Sequence, residues 1–221
     1  MKRFPSVPYI APFAVFVVLL SLNRVLPLPE VAIQILQIAI PAVVLLLFSR
    51  NVMDFRLRNA WMSIAIGIVV FAIWIAPDLA FPGYRNHWLF HNALLGTMQR
   101  SMSEPARAST AILTLRTARA ALLVPIVEEL FWRAWLMRWL ISPQFEKVPM
   151  GAYQATSFWI CAVLFASEHG AYWDVGLLAG VIYNWWMIRT RNLGDLMLAH
   201  AVTNACLSAY VIAAGKWEYW L

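Results

Sequence analysis

Charge and cysteine are both scarce in this chain. Charged side chains make up 13% of its 221 residues, and there are only two cysteines, Cys161 and Cys206. Two cysteines exclude a small secreted domain stapled by disulfides. A soluble domain carries about 25% charged residues, so there is too little polar surface here to cover a water-soluble globule. The same composition excludes collagen and a disordered chain, and with no internal repeats, low-complexity tracts or linker long enough to divide it the chain reads as one domain. Despite a net charge of +6, no basic run or aromatic-basic stripe lies outside the apolar segments, so a nucleic-acid partner is not expected. The opening Met1-Lys2-Arg3 and its apolar continuation have no small-x-small cleavage site. They run instead into Asn23-Arg24, Pro27 and Pro29, so this stretch is expected to be a retained span rather than a signal peptide.

What the chain has is apolar length. Residues of the AVILMFWYC set make up 62%, mean hydropathy is +0.67, and twelve tryptophans suit interfacial belts. A membrane-crossing helix needs roughly 20 mostly apolar residues, and seven stretches approach that: 7–26, 31–49, 60–77, about 111–141, 153–169, 172–189 and 194–214. An eighth arises if the fourth is broken or if 86–100 dips into the bilayer. The alternating pattern of a barrel is absent, which leaves helices as the structure able to satisfy its own backbone in lipid. The expected fold is all-α, a polytopic transmembrane bundle of seven to eight helices forming one integral membrane domain over 1–221, with its chemistry in about 110–214. With the N-terminus inside, Lys2, Arg3, Arg50, Arg56, Arg58, Lys147, Arg189 and Arg191 face the cytoplasm, against Arg24, Arg85, Arg100, Arg107 and Lys216 outside. That balance favours this orientation. In the 78–110 connection, Ser101-x-x-Glu104 fits a capping box for an interfacial helix that Pro105 keeps short.

Ionisable groups at the middle of a membrane helix cost about 2.5–3.5 kcal/mol each and mark function by default. The fourth stretch carries Glu128, Glu129 and Arg133. Glu129 and Arg133 are four apart with the acid N-terminal, the better orientation for an ion pair. Glu128 is turned by about 100° and has Trp132 at i+4, so it is left able to do chemistry. Pro125 removes a backbone bond one turn upstream. His169 closes the fifth stretch in Phe165-Ala-Ser-Glu-His169, and His200 and Asn204 project from one face of the last. Together these supply a proton acceptor, an orienting imidazole and two hydrogen-bond donors, the minimum for adding water to a carbonyl. A buried salt-bridge network that only fixes packing is the alternative for the Glu128, Glu129 and Arg133 trio.

Glu128-Glu129-x-x-x-Arg133, Phe165-x-x-x-His169 and His200-x-x-x-Asn204, in that order and within apolar helices, resemble the three-motif signature of the CPBP family. These are intramembrane endopeptidases related to the CAAX prenyl proteases. The likeness spans about 110–214. The Phe131-Trp132-Arg133 run and Gly215-x-Trp217-x-x-Trp220 are similar to a bacterial, exosortase-associated branch, which implies a multi-pass protein of a bacterial inner membrane. The resemblance implies that Glu128 activates a water with the help of His169, and that His200 and Asn204 donate to the oxyanion. It also implies that Glu129 and Arg133 brace the site and that Phe165 packs beneath His169. The implied partners are membrane lipids and a peptide or protein substrate, lipid-modified or held near a membrane anchor.

No cofactor is expected, since a glutamate-activated water needs no metal and there is no His-Glu-x-x-His. A zinc version would draw on Glu128, His169 and His200, three ligands with one open position. A proton-coupled transporter predicts paired repeats in both halves, whereas the polar groups cluster in the C-terminal half. A non-catalytic scaffold of the same fold is the third reading. His87 and His91 are four apart but sit beside Trp88 and Phe90 in the interfacial connection, where imidazoles lie at headgroup depth. Cys161 and Cys206 read as small core residues, Ser167 and Thr203 lack a nucleophile elbow, and Gln34, Gln37 and Asn184 read as interhelical hydrogen bonders. One tension is geometric. Straight perpendicular helices leave His169 near the outer end of its span and His200 about two turns from the inner end of its own, so tilt, shortness or an inward-dipping 169–173 connection is required.

Overall fold

A computed structural model describes residues 4–22, 25–90, 92 and 102–220. Each of the seven apolar stretches forms a helix there. They are α1 (Val7–Ser21), α2 (Glu30–Ser49), α3 (Ala60–Ala80), α5 (Thr110–Trp139), α6 (Ala155–Ser167), α7 (Trp173–Thr190) and α8 (Leu193–Ala214), with a short α4 (Glu104–Ala108) between α3 and α5. No strand occurs among the described residues. Four of the helices, α2, α3, α5 and α8, are long and apolar enough to cross a bilayer. The sequence reading of seven to eight spans thus meets four that qualify by length and composition. Three fall short: α7 has 18 residues but carries Asp174, Asn184 and Arg189, while the other two are too short. α1 has 15 residues and α6 has 13, about 22 and 20 Å of rise against a hydrocarbon core of about 30 Å. The apolar runs that looked longer continue into turns. Residues 93–101 and His91 lie outside the described residues, and with them most of the suggested eighth span, the His87–His91 pair and Ser101 of the expected capping box. The helix that does form begins at Glu104 and is capped by Ser103, whose Oγ accepts the Ala106 N–H at 3.3 Å.

α5 is the central helix, packed against α1, α2, α6 and α8. It is continuous but contains two wide π-helical turns, Arg119–Leu123 and Leu130–Leu136. The first lies directly before Pro125, which has no N–H to continue the ladder. α3 and α8 meet closely because Gly67 has no side chain: a Cβ there would run into the Ala199 carbonyl oxygen and Val202. α6 and α7 form a hairpin in which Gly180 lies against Ala162. The start of α8 is fixed from two sides. Asn192 Oδ1 accepts the Asp195 N–H at 2.7 Å, and the fully buried Asp195 carboxylate accepts the N–H groups of Arg58 and Asn59 at 2.8 and 2.9 Å and the Asn59 amide at 2.9 Å. That ties the loop before α3 to the first turn of α8, next to the tight contact at Gly67. Gln37 acts as an interhelical donor, its Nε2 donating to Leu19 O at 3.3 Å between α2 and α1, whereas the Oε1 of buried Gln34 has no partner among the described residues.

Candidate active site

Glu129 and Arg133 are fully buried on one face of α5, where the second wide turn begins. Arg133 Nη1 donates to both Glu129 oxygens at 3.1 Å, Nε donates to Asn184 Oδ1 at 2.9 Å, and Nη2 reaches Gly180 O at 3.4 Å. The guanidinium also lies over the Phe165 ring, 4.4 Å from its centroid. Every face of a buried charge is therefore met, as its desolvation demands. Asn184 in turn donates to Phe158 O at 2.8 Å. It is more than general interhelical glue, because it fixes the arginine that fixes the acid.

Glu129 has a second partner that the spacing on α5 does not reveal. His200 Nδ1 lies 2.7 Å from Glu129 Oε1. A carboxylate can only accept, so Nδ1 carries the hydrogen and donates it. His200 Nε2 then faces Glu128, with 4.0 Å between Nε2 and Glu128 Oε2. That Oε2 is buried and makes no hydrogen bond with any described residue. The gap is too long for a direct bond, yet one water at about 2.8 Å from each atom would close it at roughly a right angle. The His200 ring is held by Tyr183, stacked with ring centroids 5.1 Å apart. Tyr183 is itself anchored by its hydroxyl donating to Thr203 Oγ1 at 2.7 Å.

The depth problem between the two histidines resolves through shortness and a dip. α6 stops at Ser167, and the turn from Glu168 to Tyr172 lies against the interior. His169 Nδ1 donates to Phe165 O at 2.8 Å, and its ring sits 4.8 Å from Phe165 and 5.1 Å from Trp74. With Nδ1 protonated, the neutral ring keeps a lone pair on Nε2. Gly176 makes room for it, since a Cβ there would stand 3.2–3.3 Å from the imidazole. On α8, half-buried Asn204 donates from Nδ2 to Ala120 O at 2.9 Å. Ala120 is in the first wide turn, five residues before Pro125, and its carbonyl would otherwise look to an N–H that proline lacks.

Glu128, His169, His200 and Asn204 line one cavity of about 460 Å³, while Glu129, Arg133 and the Phe165 carbonyl stand behind them. As placed, Glu128, His169 and His200 do not make a ligand set: among the described residues no group of three or more His, Cys, Asp and Glu side chains is gathered to hold a metal ion. Three further charged residues, Glu168, Arg116 and Arg119, line the same cavity. The helical-face argument missed Glu168, whose only signal was its place beside His169. The two arginines were visible in the fourth stretch without a role. Thr203 also lines the cavity, with its hydroxyl engaged by Gly67 O at 2.9 Å and Ala199 O at 3.1 Å. Ser167 turns its own back to Leu164 O at 2.7 Å. Neither is set up as a nucleophile.

Residues 109–206 match the family described as type II CAAX prenyl endopeptidase Rce1-like. Through this segment, somewhat less than half of the chain, the protein is similar to the Rce1-like family. The match begins at Ser109, the N-cap of α5, and ends two residues past Asn204, so it contains every motif residue and leaves out α1, α2, α3 and the segment after residue 206. No curated protein and no solved structure matches the chain. That likeness supports a CAAX-type peptide-bond hydrolase acting on a peptide or protein, and together with the apolar helices it supports an integral membrane protein.

Proposed function

We propose that this protein hydrolyses a peptide bond inside the bundle with a water activated by Glu128. The observation that carries the reading is the unpartnered, buried Glu128 Oε2 standing 4.0 Å from His200 Nε2 in a cavity large enough for a peptide. The Glu128 carboxylate accepts one hydrogen of the water, and the His169 Nε2 lone pair accepts the other. This turns an oxygen lone pair toward the scissile carbonyl. As the water oxygen bonds to the carbonyl carbon, its proton moves to Glu128. The carbonyl oxygen becomes an oxyanion facing His200 and the free N–H of Asn204 Nδ2. His200 donates from Nε2 only as the imidazolium, and Glu129, already accepting from Nδ1, is placed to balance that charge. When the intermediate collapses, the C–N bond breaks and Glu128 returns its proton to the leaving amine. No metal takes part in these steps.

The bundle of seven helices is taken as crossing or entering a bacterial inner membrane, with a lipid-modified or membrane-anchored substrate entering from the lipid. The apolar α1 residues Phe13, Phe16, Val17 and Leu20 on the cavity wall support such an entry. The test uses purified, folded protein in detergent and a library of membrane-anchored peptides, with products identified by mass spectrometry. Wild type yields a defined new C-terminus, Glu128→Gln yields none, and a chelator leaves the wild-type rate unchanged. Wild-type cleavage by Glu128→Gln would overturn the assignment, and inhibition by a chelator that added zinc reverses would overturn its metal independence.

A further inference from the structure

The turn that carries His169 is gripped by a charged group the hydrolytic steps leave unused. α6 ends two residues before His169, and Gly170, at φ +51°, bends the chain directly after it. The Tyr172 N–H then donates to His169 O at 2.8 Å, and α7 begins at the next residue. Arg85, in the loop after α3 and 2% exposed, holds this turn from outside. Its Nη1 donates to Ala171 O at 2.6 Å and to Asp174 Oδ1 at 2.8 Å, and its Nε donates to Asp78 Oδ2 at 3.1 Å. A carboxylate from α3 and one from the first turn of α7 thus offset a buried guanidinium, as its desolvation requires. Each carboxylate is itself fixed. Tyr219 donates its hydroxyl to Asp78 at 2.8 Å, and Tyr84 donates to Asp174 at 3.1 Å. A second line of contact runs through rings. The Arg85 guanidinium lies 4.1 Å from the Tyr172 centroid, Tyr172 stacks on Trp74 at 6.3 Å, and Trp74 meets the His169 imidazole edge-to-face at 5.1 Å. Trp74 and Asp78 are four apart, so one turn of α3 offers both the ring against His169 and an acid that holds Arg85.

We propose that Arg85 is a positioning residue for His169, holding the 169–172 turn where the imidazole Nε2 reaches the water on Glu128. This inference rests on the hydrolase reading and deepens it. Asp78, Arg85 and Tyr219 lie outside residues 109–206, so the family likeness does not supply this grip. Arg85 stands outside the cavity lining and touches neither water nor substrate. It acts along two routes, through the Ala171 carbonyl on the backbone and through Tyr172 and Trp74 on the ring. Both end at the same histidine. With the turn released, His169 Nδ1 leaves Phe165 O, and the bond that fixes its tautomer is gone. The Nε2 lone pair is then neither aimed nor assured.

Two readouts test it, and one of them does not depend on turnover. Nitrogen-15 NMR of the full chain labelled at histidine, in detergent, reports the His169 tautomer, with His169→Gln identifying its signals. Wild type is expected to show a protonated Nδ1 and a bare Nε2, and Arg85→Gln a mixture of the two tautomers. In cleavage of a peptide that wild type cuts, Arg85→Gln is expected to lower kcat about tenfold to a hundredfold with KM within about twofold, as for a group displaced by about 1 Å. Arg85→Lys brings an ammonium to the Ala171 carbonyl without the fork that spans both aspartates, so it recovers part of kcat and of the Nδ1 signal. It also keeps the test valid should Arg85→Gln fail to fold. A lowered unfolding midpoint with His169 signals and kcat per folded molecule as in wild type overturns the proposal and leaves Arg85 a packing residue. A wild-type His169 that already mixes tautomers overturns it too. An altered His169 signal in a protein that cleaves nothing would support the grip and sink the hydrolase reading. Cleavage that needs Glu128 but keeps its kcat in Arg85→Gln does the reverse.

Discussion

Glu129 Oε1 accepts from His200 Nδ1 at 2.7 Å while the same carboxylate receives Arg133 Nη1 at 3.1 Å from each oxygen. One buried acid on α5 thus fixes the ring orientation and the tautomer of a histidine on α8. Glu129→Gln replaces a group that only accepts with an amide that also donates, setting an N–H against either Arg133 or His200. The imidazolium form of His200 loses its counter-charge as well. The expected result is a fall in kcat of at least about a hundredfold with a small change in KM, as for a carboxylate that orients a catalytic histidine. Steady-state kinetics on folded variant protein measure it, and an unchanged kcat would reduce Glu129 to a packing partner of Arg133.

Glu128 poses the opposite balance. Its Oε2 is buried with no hydrogen bond to any described residue, one residue from the buried Glu129. An uncompensated acid in that position opposes folding, so an amide in its place relieves strain while removing the base. Glu128→Gln is therefore expected to lose cleavage and to unfold at a temperature equal to or above wild type. Thermal unfolding in detergent checks the second half, and a clear drop in midpoint would mean the carboxylate is structural.

Asp195 shows how the bundle is registered away from the chemistry. It accepts from two backbone N–H groups and one side-chain amide of residues 58 and 59, and it is fully buried. Asp195→Asn turns an amide N–H toward donors and leaves at least one of them unmet. The expected loss is about 2–4 kcal/mol, from the unsatisfied buried groups and the lost charge assistance. Unfolding by denaturing detergent should show it as an earlier transition.

Gly67 carries the tight crossing of α3 and α8. Gly67→Ala would place a methyl group on the Ala199 carbonyl and on Val202, and backbone on that side does not yield easily. Overpacking of this kind costs about 1–3 kcal/mol, and it would also strain the Thr203 contact with Gly67 O. A lowered unfolding midpoint is expected, and an unchanged one would mean that α3 and α8 can part without loss.

The motif residues were legible because helical spacing alone puts Glu129 with Arg133, and His200 with Asn204, on shared faces. Which faces meet is a matter of packing, and spacing does not carry it: the Glu129–His200 bond joins residues 71 apart in the chain on two helices. The expected spans 7–26 and 153–169 exceed α1 and α6 because apolar residues such as Leu22 and Tyr153 continue beyond the helix ends. The carboxylate of Glu168 and the guanidinium groups of Arg116 and Arg119 carried no role in the sequence, because no helical face singles them out. What reveals them is a cavity wall, built from α1, α5, α8 and the turn after α6, which no single segment contains.

Asn204 separates a catalytic role from a bracing one. One amide hydrogen is spent on Ala120 O at 2.9 Å, the carbonyl left over by the wide turn before Pro125, and the other is free in the cavity that Glu128 and His200 share. Asn204→Ala removes both. If the free N–H meets the oxyanion, kcat falls by about 10²–10³ while KM moves little, since the donor acts on charge that exists only in the transition state. If the residue only ties α8 to α5, the unfolding midpoint drops and kcat per folded molecule stays near wild type. Asn204→Asp sharpens the distinction. A carboxylate there faces the Ala120 carbonyl and the developing oxyanion, so it should lower kcat below the alanine variant only if the oxyanion forms at this place.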